Sequence, residues 1–402
     1  MHTTAAPNRS LPFVDWYLLP ESYSTQLVSG YLDHYALPPG ATVLDPFAGA
    51  GTTLVTARLQ GLNAVGIEVN PFLAFAARVK SELVYDVPRL RADVGALLTT
   101  LEAELADPPP ESLPLPAMPR LEHWIDPGVA RRVLVVRAAV EGIAEPRHRD
   151  FCLLALAAIL RRCAKLKLLP HSFGTRLPRT DVPVLAPFAA RLHKMLADVA
   201  GLADAPAGRV AVLSADARTL HANTHPLLPA ALAVTSPPYL NNLDYTMQTR
   251  LELFFLGFVT DMLDLRRLRK RMLICDAKAM YPEIEDSLLV AGHPAIDAVC
   301  AALQERHAGK NWGWDYAWMV AQYFGGMQRV LAGTRAALAP GAPLVLVTAE
   351  SAHSGVLVRV PAITAELGEA LGYRVESIET LRMRRSPSHA ITLAESAVTL
   401  IA

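Results

Sequence analysis

No excess of either charge marks this chain for a polyanion or a polycation. Over 402 residues, Lys plus Arg and Asp plus Glu each total 38, so the formal net charge is zero. A grip on nucleic acid through global positive charge is excluded, while a local basic surface is not. Charged residues make up only 19% and hydrophobic residues 52%, which rules out a disordered chain and supplies a large core. Long apolar runs are also missing. Phe151 to Leu160 stops at Arg161, well short of the roughly 20 residues that cross a bilayer, so no membrane partner is expected. The opening MHTTAAPNRS lacks the basic start, apolar stretch and cleavage site of a secretory leader, and a cytoplasmic location is expected. Cysteine is rare. The four, at 152, 163, 275 and 300, form no C-x-x-C pair and have no histidine at ligand spacing. Buried reduced thiols and no metal site are expected.

What is present reads first as strand, turn, helix, strand. Ala41 to Asp45 is a short apolar strand, Pro46 to Gly51 a glycine-bearing turn, Thr52 to Gln60 a helix, and Leu62 to Glu68 a second strand. Asn70-Pro71 opens a further helix, Phe72 to Ser81. This β-α-β unit implies a parallel sheet covered by helices. More strands are expected at Arg209 to Leu213, Ala231 to Thr235 and Ala342 to Thr348, the last preceded by a helix from Tyr316 to Leu338. Tyr373 to Glu379 and Ala390 to Ile401 resemble a closing hairpin with an arginine-rich loop between them. Residues 87 to 205 and 241 to 315 carry no strand signal and look helical, with a proline cluster from Pro108 to Pro119 marking a loop.

Asp45-Pro-Phe-Ala-Gly-Ala-Gly-Thr-Thr53 sits where the first strand hands over to its helix. Gly49 and Gly51 let the backbone approach a ligand, and the helix N-terminus favours a carboxylate. Asp45 at the strand end can pair with an ammonium group. Glu68 ends the next strand, where an acidic residue holds ribose hydroxyls. A ligand with ribose, carboxylate and ammonium fits: S-adenosylmethionine. A nicotinamide dinucleotide would ask for G-x-G-x-x-G, and this loop reads Gly-Ala-Gly-Thr-Thr-Leu. A lone G-x-G after a strand is otherwise only a tight turn.

Thr235-Ser-Pro-Pro-Tyr239 follows an apolar strand. Two prolines cannot continue a ladder, so the chain breaks at the carboxyl edge of the sheet, where ligands bind in α/β folds. The Ser236 hydroxyl and the Pro237 carbonyl would be two acceptors aimed at one point, beside the flat face of Tyr239. That combination suits an exocyclic amine on a base stacked against the ring. Without the glycine loop it would be an ordinary proline turn.

Together these residues resemble the DNA amino-methyltransferases, which methylate cytosine N4 or adenine N6. Asp45 to Thr53, including Phe47, Gly49, Gly51 and Thr52, is similar to their cofactor motif, and Gly66-Ile-Glu-Val-Asn-Pro71, with Glu68 and Asn70, to the acidic strand end after it. Ser214-Ala-Asp216-Ala-Arg resembles the acidic residue that contacts the cofactor's adenine. Ser236-Pro237-Pro238-Tyr239 resembles the catalytic motif. Leu19-Pro-Glu-Ser-Tyr-Ser24 is similar to the segment placed over the methionine end of the cofactor. The resemblance implies a Rossmann-like S-adenosylmethionine-dependent sheet, mostly parallel with a closing antiparallel hairpin, and two helical insertions. The expected map is 1–86 for the cofactor part, 87–205 for a helical insertion, and 206–245 for the catalytic part. A second insertion at 246–315 is the candidate for target recognition, and 316–402 completes the sheet. The cofactor motif leads the catalytic motif, and the first insertion falls between the second and third strands.

The implied reaction is direct methyl transfer to an exocyclic amine of a flipped base in double-stranded DNA. Serine at 236 is, by resemblance, more typical of cytosine N4 than of adenine N6. An RNA base N-methyltransferase and a non-catalytic cofactor- or DNA-binding subunit remain the other readings, and a cognate nuclease or defence-system subunit is the expected protein partner. Asp244 is a candidate general base or a helix cap. Asp264-Leu-Arg-Arg-Leu-Arg-Lys-Arg271, and Arg161, Arg162, Lys165 and Lys167 followed by His171 to Arg179, are basic runs. Each is either a solvated helix face or a phosphate contact. Arg382, Arg384 and Arg385 beside Ser386 to His389 are candidates for DNA or target-base contact. Trp312, Trp314, Tyr316 and Trp318 read as core packing before a base wedge, and His307 and His353 as structural.

Overall fold

A computed structural model describes residues 4–169, 172–176, 179–202, 208–277, 280–309, 314–385 and 391–402. A seven-stranded sheet forms the centre: β1 (Thr42–Asp45), β2 (Asn63–Ile67), β3 (Val210–Leu213), β4 (Leu232–Thr235), β5 (Pro343–Ala349), β6 (Arg374–Arg385) and β7 (Thr392–Ile401). Their spatial order is β3-β2-β1-β4-β5-β7-β6. The first five run parallel, with Asp45 opposite Gly66 and Val43 opposite Leu232. β7 is antiparallel to both β5 and β6. The order reverses between β1 and β4, the switch point where such sheets bind ligands at their carboxyl ends. This is a Rossmann-like sheet, mostly parallel with a closing antiparallel hairpin.

Strand alternation divides the core. Val43, Ala64, Leu232, Val234, Val345 and Val347 face α1 (Thr25–His34) and α2 (Thr52–Leu59). Their neighbours Leu44, Val65, Ala233, Leu344 and Leu346 point the other way, as a period of two demands. The helix α3 (Pro71–Ser81) turns Phe72, Phe75 and Val79 into a separate apolar core. That core also holds α4 (Val87–Glu104), α5 (Pro127–Glu141), α6 (Pro146–Cys163) and α7 (Leu185–Ala200).

The second helical stretch divides between two cores. Its α8 (Arg250–Phe255) and α9 (Met262–Arg271) put Leu251, Phe254, Leu265 and Leu268 into the core of the first insertion. From Leu273 onward, including Leu303 of α10 (Pro294–His307), it packs with the sheet, α11 (Tyr316–Ala337) and α12 (Val360–Ala370). Trp314, Tyr316 and Trp318 are partly buried against that sheet core; Trp312 lies outside the described residues.

Two expectations are corrected. The first insertion is not strand-free, because Leu166–Leu169 and Ser172–Arg176 form a small antiparallel hairpin. The arginines expected in the loop of the closing hairpin lie within β6, which pairs with β7 as far as Arg385 opposite Thr392. Leu381 and Met383 alternate with Arg382 and Arg384, and that alternation continues the strand. Ser386 to Ala390 lies outside the described residues. Among them, no helix is long and apolar enough to cross a membrane.

Candidate active site

At the switch point lies a cavity of about 340 Å³. Phe47, Gly49 and Thr52 reach it from the loop and helix after β1, Glu68 and Asn70 from the end of β2, and Asp216 from the end of β3. Ser236, Pro237, Pro238 and Tyr239 close it from the end of β4. Leu19 to Tyr23 form another wall, which joins the N-terminal segment to the same space. Both sequence motifs therefore face one cavity.

Asp45, Gly51 and Thr53 do not line it. Asp45 is 1% exposed, and its carboxylate is taken up by the protein. It accepts hydrogen bonds from the Thr235 hydroxyl at 2.6 Å, the Phe47 N–H at 3.0 Å and the Tyr23 hydroxyl at 2.9 Å. Burial raises its carboxyl above the usual range against the pull of those donors. Rather than meeting an ammonium group, Asp45 ties together the cofactor loop, the residue before Ser236 and the N-terminal segment. The Thr53 hydroxyl bonds the same Tyr23 hydroxyl. Gly51 sits at φ +83°, and a Cβ there would stand 2.9 Å from the Ala77 Cα, so glycine is what lets α3 close against the loop.

Glu68 faces the cavity with a fixed carboxylate. Gly49 N–H and Asn70 N–H each donate to one of its oxygens at 2.8 Å. Burial lifts its carboxyl to about 7. Both oxygens keep further acceptor capacity. The Asn70 side chain is spent on structure: Oδ1 caps α3 through Phe72 N–H at 3.1 Å, and Nδ2 donates to Thr249 at 2.9 Å. Asp216 caps the short turn Ala217–Thr219 and is clamped by the Arg218 guanidinium at 2.7 Å, which also reaches Asp286 at 2.6 Å. The first-turn amides of α2 begin at the cavity wall with Thr52, a setting that suits an anion.

At the catalytic turn, the Ser236 hydroxyl donates to the Val347 carbonyl of β5 at 2.9 Å. Its hydrogen is thus committed away from Oγ's lone pairs. Tyr239 hydrogen-bonds Ser236, and burial together with the Glu395 charge pushes its phenol up. The Tyr239 N–H donates to the Tyr245 hydroxyl at 2.9 Å, and His353 bonds the Leu240 carbonyl at 3.0 Å with Tyr316 stacked on its ring. Two successive backbone groups after the prolines are therefore pinned. Tyr23, from the segment expected beside the cofactor, lines the cavity, as do Tyr245 and Glu395, which were not anticipated from sequence.

Residues 20–77 match a family model described as DNA methylase, of the N6/N4 type. The Type II methyltransferase M.BsoBI of Geobacillus stearothermophilus is 24% identical, over 95% of this chain and 82% of its own. M.AvaI of Nostoc sp. is 24% identical, over 93% of this chain and 82% of its own. M.MjaII of Methanocaldococcus jannaschii is 39% identical over 66 residues, 16% of this chain and 12% of its own. The chain is thus similar to DNA methylases of the N6/N4 type around its cofactor loop, and along most of its length to Type II methyltransferases.

The basic runs turn out largely committed inside the molecule. In α9, Arg269 pairs with Asp244, Lys270 with Glu283, and Arg267 with Asp264 at 3.0 Å. Arg161 serves Glu252 at 3.4 Å and the Gln248 carbonyl at 2.7 Å. Lys165 pairs with Asp126 at 3.5 Å, while the side chains of 166–178 lie outside the described residues. Asp244 does not line the cavity and caps Tyr245–Gln248 through Thr246 N–H at 3.0 Å, so capping is the role its geometry supports. Cys152, Cys163 and Cys275 are buried and Cys300 partly so, all as free thiols.

Proposed function

We propose that this enzyme transfers a methyl group from S-adenosylmethionine to the exocyclic amine of a base flipped out of duplex DNA, with cytosine N4 as the first target and adenine N6 as the second. The observation that carries the reading is the shared cavity, in which Glu68 and the glycine loop stand opposite Ser236 to Tyr239. Its residues fit the donor. Glu68 takes the ribose hydroxyls, its carboxylate already oriented by Gly49 and Asn70. The opening amides of α2 take the carboxylate, and Asp216 lies on the wall for the adenine. When bound, S-adenosylmethionine supplies the electrophilic methyl.

The amine's lone pair is delocalised into the base and attacks poorly. Ser236 Oγ, its own hydrogen given to Val347, accepts one amine hydrogen, and the Pro237 carbonyl accepts the other. Both bonds strengthen as nitrogen gains positive charge, which stabilises the transition state more than the ground state. Tyr239 offers its ring to the extruded base. Cytosine N4 is favoured by serine at 236. The adenine reading rests on the same two acceptors, which fit either amine. A cognate nuclease or defence-system subunit is the proposed protein partner.

Mass spectrometry of nucleosides tests this, using DNA and RNA incubated with the protein and methyl-deuterated S-adenosylmethionine. Label on cytosine N4 in DNA is expected. Label on adenine N6 would move the target base, and label only in RNA would overturn the choice of polymer.

A further inference from the structure

The arginines of the closing hairpin are unequal. Arg382 and Arg384 both line the cavity, but Arg382 is held by Glu395 at 2.5 Å, and Glu395 is 2% exposed. Arg384 makes only one hydrogen bond among the described residues, from Nη2 to the Glu350 carbonyl at 3.2 Å. Its Nε is buried with no hydrogen-bond partner. A buried donor on a permanent cation left unpaired is costly, and such a group in a cavity wall calls for an acceptor. The guanidinium stands 5.9 Å from the centre of the Tyr239 ring. At that distance the charge makes a cation–π contact with the ring, which supplies no hydrogen-bond acceptor to Nε.

We infer that Arg384 reads the flipped base, turning its guanidinium to donate to the ring nitrogen beside the exocyclic amine. The inference rests on the methyltransfer reading and adds to it the rule by which the base is accepted. A base laid on Tyr239 with its amine at Ser236 and Pro237 turns the atom next to the amine toward the flank of the pocket. In cytosine that atom is N3 and in adenine N1, both bare acceptors. Thymine N3 and guanine N1 carry hydrogen at that edge and would meet the guanidinium donor to donor. Such a meeting rejects them by leaving two donors unpaired. Arg382 cannot substitute, because its charge is already spent on Glu395.

The test compares one natural and one altered duplex with the full chain and saturating tritiated S-adenosylmethionine. The duplex carries the site found methylated in plasmid DNA, and the altered one has C–H in place of that ring nitrogen (3-deazacytosine or 1-deazaadenine). Wild type should lose roughly 10- to 100-fold in kcat/KM on the altered base, the scale of one hydrogen bond to a charged group. Arg384→Ala should lose a similar factor on the natural base and little more on the altered one. Arg384→Lys should regain part of that loss, with cofactor Kd unchanged throughout. Equal rates of wild type on both duplexes would overturn the inference, with no variant needed. So would an Arg384→Ala enzyme that still discriminates between them. If wild type methylates no amine in plasmid DNA, the methyltransfer reading itself falls, which is a separate result.

Discussion

The two ends of the cavity are built on opposite principles. Around the wall proposed for the cofactor the charges are acidic and held in place from within: Asp45, behind the wall, by Thr235, Tyr23 and Phe47, Glu68 by two backbone amides, and Asp216 by Arg218. At the proposed base end Arg382 is paired with Glu395, while Arg384 keeps a buried donor without a hydrogen-bond partner. A group that is fully bonded before its ligand arrives holds a shape. An unpaired one gains a bond only when the ligand comes. The cofactor end is therefore prebuilt, and the base end is completed by what enters it.

The largest expected effect lies at the base end. Ser236→Ala should lower kcat by roughly 100- to 1000-fold, the usual loss for one preorganised transition-state partner, with cofactor affinity nearly intact by calorimetry. Weakened cofactor binding in that variant would blur the division between the ends. At the cofactor end, Glu68 links affinity to pH. Its carboxyl is raised by burial to about 7, and donors from the ribose favour the charged form. Binding below pH 7 must then expel a proton, so affinity should weaken as pH falls through 7, by at most tenfold per unit. Glu68→Gln should bind more weakly and flatten that slope; an unchanged slope would remove Glu68 from the ligand.

Asp45→Asn sharpens the comparison further. If Asp45 is a tie and not a ligand contact, the variant should lose about 1–3 kcal/mol of stability in denaturant unfolding, together with any loss of cofactor affinity. Affinity lost without stability would restore the direct contact with the ammonium. The smallest effect is expected outside the cavity. The Arg267 side chain is 67% exposed, so Arg267→Ala should weaken DNA binding by a few-fold at most and lower the salt slope by about one. No change in slope would leave α9 off the DNA.

Much of this was legible because local chemistry and position agree. The apolar runs at 42–45, 63–67 and 232–235, each ending in a turn residue, became strands whose ends meet at one cavity. What stayed hidden depended on partners far along the chain. Asp45 looked available because nothing nearby shows that Thr235 and Tyr23 will occupy it. The charge run in α9 looked free because Asp244 and Glu283 pair with it only after folding. The reach of β6 was masked by its arginines, although the alternating Leu381 and Met383 carried the period of a strand.

The core that α8 and α9 share with the first insertion bears on how this chain could be recombined with a relative. Two stretches distant in sequence bury their apolar faces in each other, so neither can be exchanged with a relative's version without exposing the other. A graft of either stretch would have to carry both as a matched pair, with Asn70 and Thr249 as the seam where the graft meets the sheet.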